Sequence, residues 1–555
     1  MSKTIWSISL RDLRGAKLSI EPFATPGRIR LIRCSLLVDN GNLVLEEFTD
    51  FPSVTYSAIS YVWKGNTPDP ATQHRGEVLG HFAVEGAEDG DPISIDVLRD
   101  TCLAVQRFNI DYIWLDRVCI MQKNQDDKAW QITQMFNLYQ QAEFTIILPG
   151  GIHHLVPLNE ETSWVHRGWT LQEALAPDVA YVLHLWEWEH GMVGDQDDED
   201  TKGDIQVVVP GRCAFTDLAN LVEACTLGNL QWAPKALCED EGEWRTEPTR
   251  ILGHGTSNLH AFLDALRVAS SPRGIFRDYA IWKAALTRTS SRPVDMVFSI
   301  MGLFDVTLDP RAFKKDDRIG ATIALAREIL RKGGSASWIG ISTRAPPCRH
   351  LSTFPEFPET SVGGKAMIRT TGKIIDAANI VDEDTYMAAT GVFETFESSQ
   401  VGDVEGDGFP YITGEMDETG YLTFRRAACT LTPTNTADVK DCVDCQRTTG
   451  ALESQHLSAQ AVDGTRWFFH EGADLEVSKF PKFFAVALGP FATVSLSDEH
   501  DEHFKFMLVQ EHAPERFHIV SFFVLPNWDK NWSQKVLIWK ETRLSVGGPD
   551  RRGIF

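Results

Sequence analysis

The stretch DDKAWQITQMFNLYQQAEFTIIL, residues 126–148, decides the fold class of the first part of the chain. Its first portion is typical of an amphipathic helix, because Ile132, Met135, Phe136 and Tyr139 recur at helical offsets and share one face. The two Asp residues at its start favour the N-terminal end of a helix dipole. The closing FTIIL is a short apolar run, typical of a buried strand. The stretch therefore predicts a helix that leads into a strand.

The neighbouring segments continue this alternation. Strands are predicted at TYSAISYV (55–62), YIWLD (112–116) and VAYVLHL (179–185), and a helix at SIDVLRDTCLAVQRF (94–108). Strands separated by helices of this length are typical of βαβ units and a parallel sheet. We therefore expect four or five parallel strands flanked by helices in this part of the chain. Four strand residues should be buried: Ile113, Leu115, Ile146 and Ile147.

The rest of the chain changes character twice. An acidic run, DQDDEDTKGD (195–204), predicts a solvated loop and a domain boundary. Helical periodicity then recurs at 257–269 and 318–334, whereas short aromatic and β-branched runs follow a Pro-rich linker at 346–364. The predicted organisation has four parts: a β segment at 1–55 that packs on the next domain, an α/β domain at 56–195, a helical region at 205–345 and a β-rich domain at 365–555.

Composition restricts the function classes. The chain has 555 residues and a formal net charge of −24, which disfavours nucleic acid and anionic membrane surfaces as partners. No apolar run is long enough to cross a bilayer, and the N-terminus lacks the apolar region of a signal peptide. Ten scattered Cys residues do not form a disulfide framework. We therefore expect a soluble protein of the cytoplasm.

Three stretches together carry a family resemblance: YSAISYVWKG (56–65), YIWLDRVCIMQ (112–122) and WVHRGWTLQEALA (164–176). In this order they resemble the fungal heterokaryon-incompatibility (HET) domain family, whose pattern is roughly Ser-Tyr-x-Trp-Gly, Trp-Ile-Asp-x-x-Cys-Ile-Asn-Gln and Arg-x-Trp-x-x-Gln-Glu. SSRPVDMVFSIMGLF (290–304) is similar to a segment that often follows such domains. The chain departs from the pattern at two positions, since Lys64 is inserted before the glycine and Met121 replaces the usual Asn.

The resemblance implies a fold and a site. HET domains are thought to share the flavodoxin-like open parallel sheet of Toll/interleukin-1 receptor (TIR) domains. Many TIR domains that hydrolyse NAD carry Trp-Cys-x-x-Glu with a catalytic Glu, and Trp169 and Glu173 have the same spacing here. Glu173 is therefore the implied catalytic residue. The implied nucleotide-binding residues are Ser60, Tyr61, Trp63, Asp116, Gln122, Arg167 and Trp169.

The chemistry of NAD suits such a site. Nicotinamide leaves as a neutral molecule, so one carboxylate that stabilises the oxocarbenium-like ribose is sufficient, and no general acid is needed. An aromatic wall favours the charged nicotinamide ring by cation–π attraction, and Arg167 could hold a phosphate. NAD would be a substrate, and neither a resident cofactor nor a metal is expected.

Two functions remain open from the sequence. The first is a HET-domain effector in fungal non-self recognition and programmed cell death that acts by NAD(P) glycohydrolysis. The second is a non-catalytic module that self-associates in heterokaryon incompatibility, in which the motif residues only hold the fold. Self-association on activation and a protein partner from an incompatibility locus are expected under either function.

Each candidate residue also has a structural interpretation. Glu173 suits the first turns of a helix by its charge, Trp169 suits a core, and Asp116 suits a cap. Arg167 could pair with Asp116 or Glu173. A nucleophile pair of Cys119 with a His at 153, 154 or 166 is conceivable.

Two further sets of residues have a possible chemical or structural role. Cys442-x-x-Cys445, with Cys429 and His456 near in sequence, has the spacing of half a zinc site. His184 is expected to be a buried structural residue.

Overall fold

The structure is a computed structural model that describes residues 2–67, 78–194, 203–234, 244–361, 364–370, 372–381, 384–386, 412–433, 457–469, 481–493, 501–526 and 540–549. The chain divides into two compact units. The first unit comprises Met1–Ser270, Thr287–Arg318 and Thr360–Ala366. The second comprises Ser271–Leu286, Ile319–Glu359 and Met367–Phe555.

The strands of the first unit are β1 Ser2–Ser9, β2 Lys17–Leu18, β3 Ile29–Arg33, β4 Asn42–Phe48, β5 Ser57–Tyr61, β6 His81–Val84, β7 Ile93–Ser94, β8 Tyr112–Trp114, β9 Thr145–Leu148, β10 Ala180–Leu185, β11 Gly191–Val193, β12 Gly203–Val209, β13 Cys213–Asp217, β14 Asn229–Pro234 and β15 Arg245–Pro248. The strands of the second unit are β16 Met367–Thr370, β17 Lys373–Asp376, β18 Asp384–Tyr386, β19 Glu415–Met416, β20 Tyr421–Pro433, β21 Leu457–Gln460, β22 Arg466–Phe469, β23 Phe483–Thr493, β24 Asp501–Ala513, β25 Arg516–Pro526 and β26 Lys540–Gly547. The α-helices are α1 Leu10–Leu13, α2 Cys34–Val38, α3 Ile95–Gln106, α4 Asp116–Cys119, α5 Gln125–Gln140, α6 Gly168–Leu175, α7 Leu218–Leu227, α8 Ser257–Arg267, α9 Ile275–Leu286, α10 Asp295–Met301 and α11 Arg318–Arg331.

Four parallel strands form the centre of the first unit. They stand in the order β8-β5-β9-β10, and each adjacent pair is parallel. Numbered along the chain, this is the order 2-1-3-4 that flavodoxin-like sheets share. The predicted parallel arrangement is confirmed for these strands. Ile113, Leu115, Ile146 and Ile147 are all buried, as predicted.

The sheet as a whole is mixed, which corrects the expectation of an open parallel sheet. Over the described residues it has twelve strands, in the order β1-β4-β3-β8-β5-β9-β10-β13-β12-β11-β14-β15. On one side β3 pairs antiparallel with β8, so the N-terminal segment extends the sheet itself. On the other side β13 pairs antiparallel with β10. The parallel strands are therefore enclosed between two antiparallel flanks.

The predicted helical region begins later than expected. The described residues of the range 203–248 contain four strands and the helix α7, and the predicted helices at 257–269 and 318–334 are present as α8 and α11. The sequence pattern that the helical prediction overlooked is that of a β-hairpin formed by β12 and β13. Ile205 and Val207 are buried on either side of Gln206, and Pro210-Gly211 forms the turn before β13.

Helices on the two faces of the sheet determine where the site can form. α5 and α6 contact each other on one face, whereas α3 contacts α2 and β8. Asn124 caps α5, because its side chain accepts a hydrogen bond from the Asp127 amide. α8 and α10 pack against α6. Because α6 follows β9, it begins beside the carboxyl ends of the parallel strands.

The second unit is rich in β structure, as predicted for the C-terminal region. Its main sheet contains β18 to β26, and β20 pairs with both β23 and β26. A core of Phe and Leu side chains, including Phe504, Phe506 and Leu508, is buried against it.

Candidate active site at the carboxyl ends of the parallel strands

Ser60 and Glu173 meet at the end of β5. Ser60 is fully buried, and its Oγ donates a hydrogen bond of 2.5 Å to Glu173 Oε2. Trp164 Nε1 donates to the same Ser60 Oγ at 2.9 Å. Since the indole N–H occupies a lone pair of the hydroxyl, the hydroxyl proton is directed to Glu173. The structure therefore brings together Ser60 and Glu173, two of the residues that the resemblance implies for the site, and adds Trp164 as a hydrogen-bond donor to Ser60.

Asp116 holds a second set of contacts at the end of β8. Its Oδ1 accepts hydrogen bonds of 2.5 Å from the Tyr61 hydroxyl and from the Arg117 amide. Its Oδ2 accepts from Trp63 Nε1 at 2.9 Å. The cap interpretation is partly right, because Asp116 bonds an amide of its own helix. The same carboxylate also fixes the two aromatic residues that the resemblance places in the nucleotide site.

Gln122 lies behind this network. It is 6% exposed, and its Nε2 donates to the backbone carbonyl of Asp116 at 3.0 Å and to that of Arg117 at 3.4 Å. These bonds hold the backbone of α4 in place. The structure therefore assigns Gln122 to the support of Asp116.

The loop after β5 closes against the loop after β9. A Cβ at Gly65 would lie 1.8 Å from the carbonyl oxygen of Gly150, so the two backbones approach more closely than any side chain allows. Asp91 accepts a hydrogen bond of 2.7 Å from the Gly65 amide. The Arg117 guanidinium lies 5.6 Å from the Trp63 ring centroid, which positions that ring. The insertion of Lys64 is thus compatible with an ordered loop.

Arg167 and Trp169 lie at the start of α6. Burial lowers the pKa of Arg167, and the negative charges of Glu173, Asp116 and Asp295 oppose this shift. Trp169 is half-buried and forms a hydrogen bond with the carboxyl of Asp295. Burial raises the pKa of Asp295 to about 6. The stretch 290–304 therefore supplies a carboxyl group to the site, which the sequence had not assigned.

Arg288 is a site residue that no sequence motif indicates. It is 1% exposed, and one guanidinium nitrogen donates to Thr170 Oγ1 at 2.8 Å and to the Arg167 carbonyl at 3.1 Å. Its guanidinium stacks 4.8 Å from the Phe262 ring centroid. Burial lowers its pKa to about 9, and the charge of Glu173 opposes that shift. Such a contact between distant segments leaves no local pattern.

The environment of Glu173 favours its neutral form. Burial raises its pKa to about 8, and the nearby Asp116 adds to the rise. The Ser60 hydrogen bond and the charges of Arg167 and Arg288 act in the opposite direction. In this arrangement the group is mostly protonated at neutral pH, and a nearby positive charge would ionise it.

The Cys119 nucleophile hypothesis is wrong for this arrangement. Cys119 is fully buried, and burial raises the pKa of its thiol to about 12, so the reactive thiolate is not populated. The three histidines have other contacts: His153 Nε2 bonds the Asn66 carbonyl, His154 stacks edge-on against His153, and His166 lies against Asn258.

The other two sequence interpretations have separate outcomes. His184 is fully buried with its Nε2 at 3.0 Å from Thr216 Oγ1, which confirms its structural role. Cys442, Cys445 and His456 lie outside the described residues, and Cys429 is buried. Within the described part of the chain, no group of three His, Cys, Asp or Glu side chains could hold a metal ion.

Across the described residues, no helix has the length and apolar character needed to span a membrane.

Comparison with known proteins adds one assignment. No curated protein and no solved structure matches the chain. The family model described as heterokaryon incompatibility protein (HET) matches residues 56–157, so the chain contains a HET domain that runs from β5 to the loop after β9.

Proposed function

We propose that the HET domain and α6 together form a TIR-like site that cleaves the bond between nicotinamide and ribose in NAD or a related nucleotide. The observation that carries this proposal is the 2.5 Å contact between Ser60 and Glu173 beside the carboxyl end of β5. In flavodoxin-like sheets the ligand binds where the first and third strands diverge, which here is between β5 and β9. Glu173 lies beyond the matched range, so its role rests on this geometry.

The charge state of Glu173 suits a cationic substrate, because the bound positive charge would ionise this carboxyl group. With a pKa of about 8 the carboxyl is largely neutral at pH 7. The nicotinamide ring of NAD is cationic, and a positive charge in a buried site favours the ionised carboxylate. The carboxylate then stabilises the positive charge that develops on the ribose as the electron pair of the broken bond leaves with neutral nicotinamide. Water adds to the anomeric carbon of the ribose and releases a proton, which completes the hydrolysis.

In this proposal, Asp116 and its hydrogen-bond donors orient the side chains that contact the substrate. Three hydrogen bonds on one carboxylate fix Tyr61 and Trp63 at the mouth of the first loop. Fixed aromatic rings provide a wall on which the nicotinamide stacks. Arg167, at the start of α6, supplies the positive charge for a phosphate. We propose no metal and no cofactor for this chemistry.

The biological role follows the family. We propose that the protein acts in fungal non-self recognition and programmed cell death in the cytoplasm, through depletion of the nucleotide. Self-association and a protein from an incompatibility locus would provide the trigger.

A release assay tests the proposal. The purified full chain is incubated with NAD, with and without a crowding agent that promotes assembly, and nicotinamide release is followed. Glu173→Gln should abolish release, because it keeps the shape and removes the charge. Glu143→Gln is the matched control, since Glu143 is exposed just before β9 and should retain full activity. Equal release by both variants would refute a catalytic Glu173.

A non-catalytic module is the second candidate. The observation that favours it is the burial of the motif residues against one another: Ser60 is fully buried and Glu173 is 9% exposed. If the wild-type chain releases no nicotinamide in its assembled form, and Glu173→Gln still self-associates, the structural interpretation replaces the enzyme.

A further inference from the structure

Arg288 is held beside the first turn of α6 by the backbone of the residue that follows it. The Thr289 amide donates to the His166 carbonyl at 2.7 Å, and the Thr289 carbonyl accepts from the Gly168 amide at 2.8 Å. From this fixed backbone the Arg288 guanidinium donates to Thr170 Oγ1 at 2.8 Å. All of these residues belong to the first unit. Arg288 therefore has a defined position beside α6.

This position is close to Glu173. Residues three positions apart on a helix are neighbours, with Cβ atoms roughly 5–6 Å apart, so the guanidinium that bonds Thr170 lies near the Glu173 side chain. The Phe262 ring adds a second connection. Its centroid lies 4.8 Å from the Arg288 Cζ and 5.8 Å from the Trp164 ring centroid. Trp164 in turn donates to the hydroxyl that bonds Glu173.

The Arg288 guanidinium is poorly satisfied for a buried group. The side chain is 1% exposed, and its Nε and Nη2 have no hydrogen-bond partner among the described residues. A buried donor without a partner lowers stability, and the penalty is greater for a charged group. The hydrogen bonds of Arg288 alone therefore do not explain a buried cation at this position.

The N-terminal end of α6 also disfavours a cation. The helix macrodipole gives the first turn a partial positive charge, which repels a guanidinium. The one carboxylate among the eight residues of α6 is Glu173. Burial lowers the pKa of Arg288 to about 9, and the negative charge that opposes this shift is that of Glu173. Arg167 differs, because Asp116 and Asp295 act on it as well.

We propose that Arg288 is the counter-charge of Glu173, a positioning residue that keeps the carboxylate form of Glu173 available in the buried site. This role rests on the proposed hydrolysis, in which the ionised carboxylate stabilises the developing charge on the ribose. Ser60 gives that carboxylate a hydrogen bond, and Arg288 gives it an opposite charge. Arg288 lies beyond the range 56–157 that the family model matches, so the matched domain alone lacks this counter-charge.

Other charged and titratable groups also surround Glu173. They are Tyr61 on β5, Asp116 after β8, Tyr139 on α5 and Arg167 before α6, whereas Asp295 on α10 acts on Arg167 and Trp169. Burial raises the pKa values of Tyr61 and Tyr139 well above the ordinary value, so both hydroxyls stay protonated at neutral pH. Glu173 titrates at about pH 8, below both tyrosines.

Infrared difference spectroscopy on the full chain tests the proposal. The protonated carboxyl of Glu173 gives a band that is identified by its absence from Glu173→Gln, and the loss of this band with rising pH gives the pKa. The wild-type midpoint should lie at about pH 8. Arg288→Gln keeps an amide donor for Thr170 but removes the charge, so the midpoint should rise by about one unit. An unchanged midpoint would overturn the proposal.

Thr170→Val is the matched control, because it removes an oxygen that Arg288 bonds and leaves the charge in place. Its midpoint should equal that of the wild type. An equal rise in Thr170→Val and Arg288→Gln would show that the packing of α6 sets the pKa, which refutes the counter-charge. If Arg288→Gln does not fold, adding Glu173→Gln should restore folding, because no carboxylate then needs a counter-charge. A double variant that stays unfolded would give Arg288 a structural role instead.

Nicotinamide release separates this role from the proposed function. At pH 7, Arg288→Gln should lower kcat about tenfold and leave KM for NAD unchanged, because a rise of one pKa unit reduces the ionised fraction of Glu173 about tenfold. An unchanged kcat in an active enzyme would refute the role of Arg288 in hydrolysis. If the wild type releases no nicotinamide, the hydrolysis itself is refuted, whereas the infrared midpoints still decide whether Arg288 sets the charge of Glu173.

Discussion

Two carboxylates near the carboxyl ends of the parallel strands, Asp116 and Glu173, differ in how burial affects them. Asp116, after β8, is half-exposed and accepts hydrogen bonds from Tyr61, Trp63 and its own helix. Glu173, on α6, is buried and accepts, among the described residues, from Ser60 alone. The Asp116 carboxylate has its hydrogen bonds satisfied and orients neighbouring side chains. Glu173 is buried where the ionised form of its carboxyl group is unfavourable. A buried group whose ionised form is unfavourable is typical of a catalytic residue, whereas a carboxylate with satisfied hydrogen bonds is typical of a residue that supports the structure.

The largest loss of stability is expected at Asp116. Asp116→Ala leaves the Tyr61 hydroxyl and the Trp63 indole without their acceptor, which should lower the unfolding free energy of the first unit by about 3 kcal/mol. Urea unfolding followed by tryptophan fluorescence measures this. If Asp116→Ala loses less unfolding free energy than Ser60→Ala does, Asp116 does not have the supporting role assigned to it here.

Glu173→Gln should raise the unfolding free energy at high pH, whereas Asp116→Ala should lower it. The folded-state pKa is raised from 4.5 to about 8, so the folded protein binds more protons in that window, and its stability falls as pH rises through it. Each pH unit there is worth about 1.4 kcal/mol. The variant lacks this loss, so it should equal the wild type at pH 4 and exceed it at pH 8. Parallel pH–stability curves for the two proteins would contradict the burial argument.

Ser60→Ala should have an intermediate effect. It removes the donor that lowers the pKa of Glu173, so the decline in stability, which begins near the unfolded-state pKa of 4.5, should extend to a higher pH. The loss of the hydrogen bond should cost about 1–1.5 kcal/mol. Ser57→Ala is the matched control, because Ser57 is equally buried on the same strand but donates to the Phe144 carbonyl at 2.7 Å. The control should cost as much stability without moving the pH dependence.

The smallest effect is expected at Cys119. Cys119→Ala should cost about 1 kcal/mol of stability and leave nicotinamide release unchanged. A loss of release greater than about tenfold would restore the nucleophile hypothesis.

Local patterns predicted the parallel core well, because each βαβ element carries its own periodicity. The strand ends then brought Ser60 to Glu173 and Tyr61 to Asp116, since parallel strands share one carboxyl edge. The mixed flanks were missed because their pairing joins distant segments, such as Ile32 with Ile113. Arg288 was missed for the same reason, since its contacts with α6 depend on packing that no local motif records.

The enclosed sheet has a consequence for synthesis of the chain. β3 and β4 leave the ribosome well before β8, so the edge that will pair with Ile113 remains open for seconds. A fragment restricted to residues 56–157 would lack β3 as well as β10, and both edges of its sheet would be open. Open edges template aggregation. A soluble expression unit should therefore begin at the N-terminus and include the antiparallel flank up to β15.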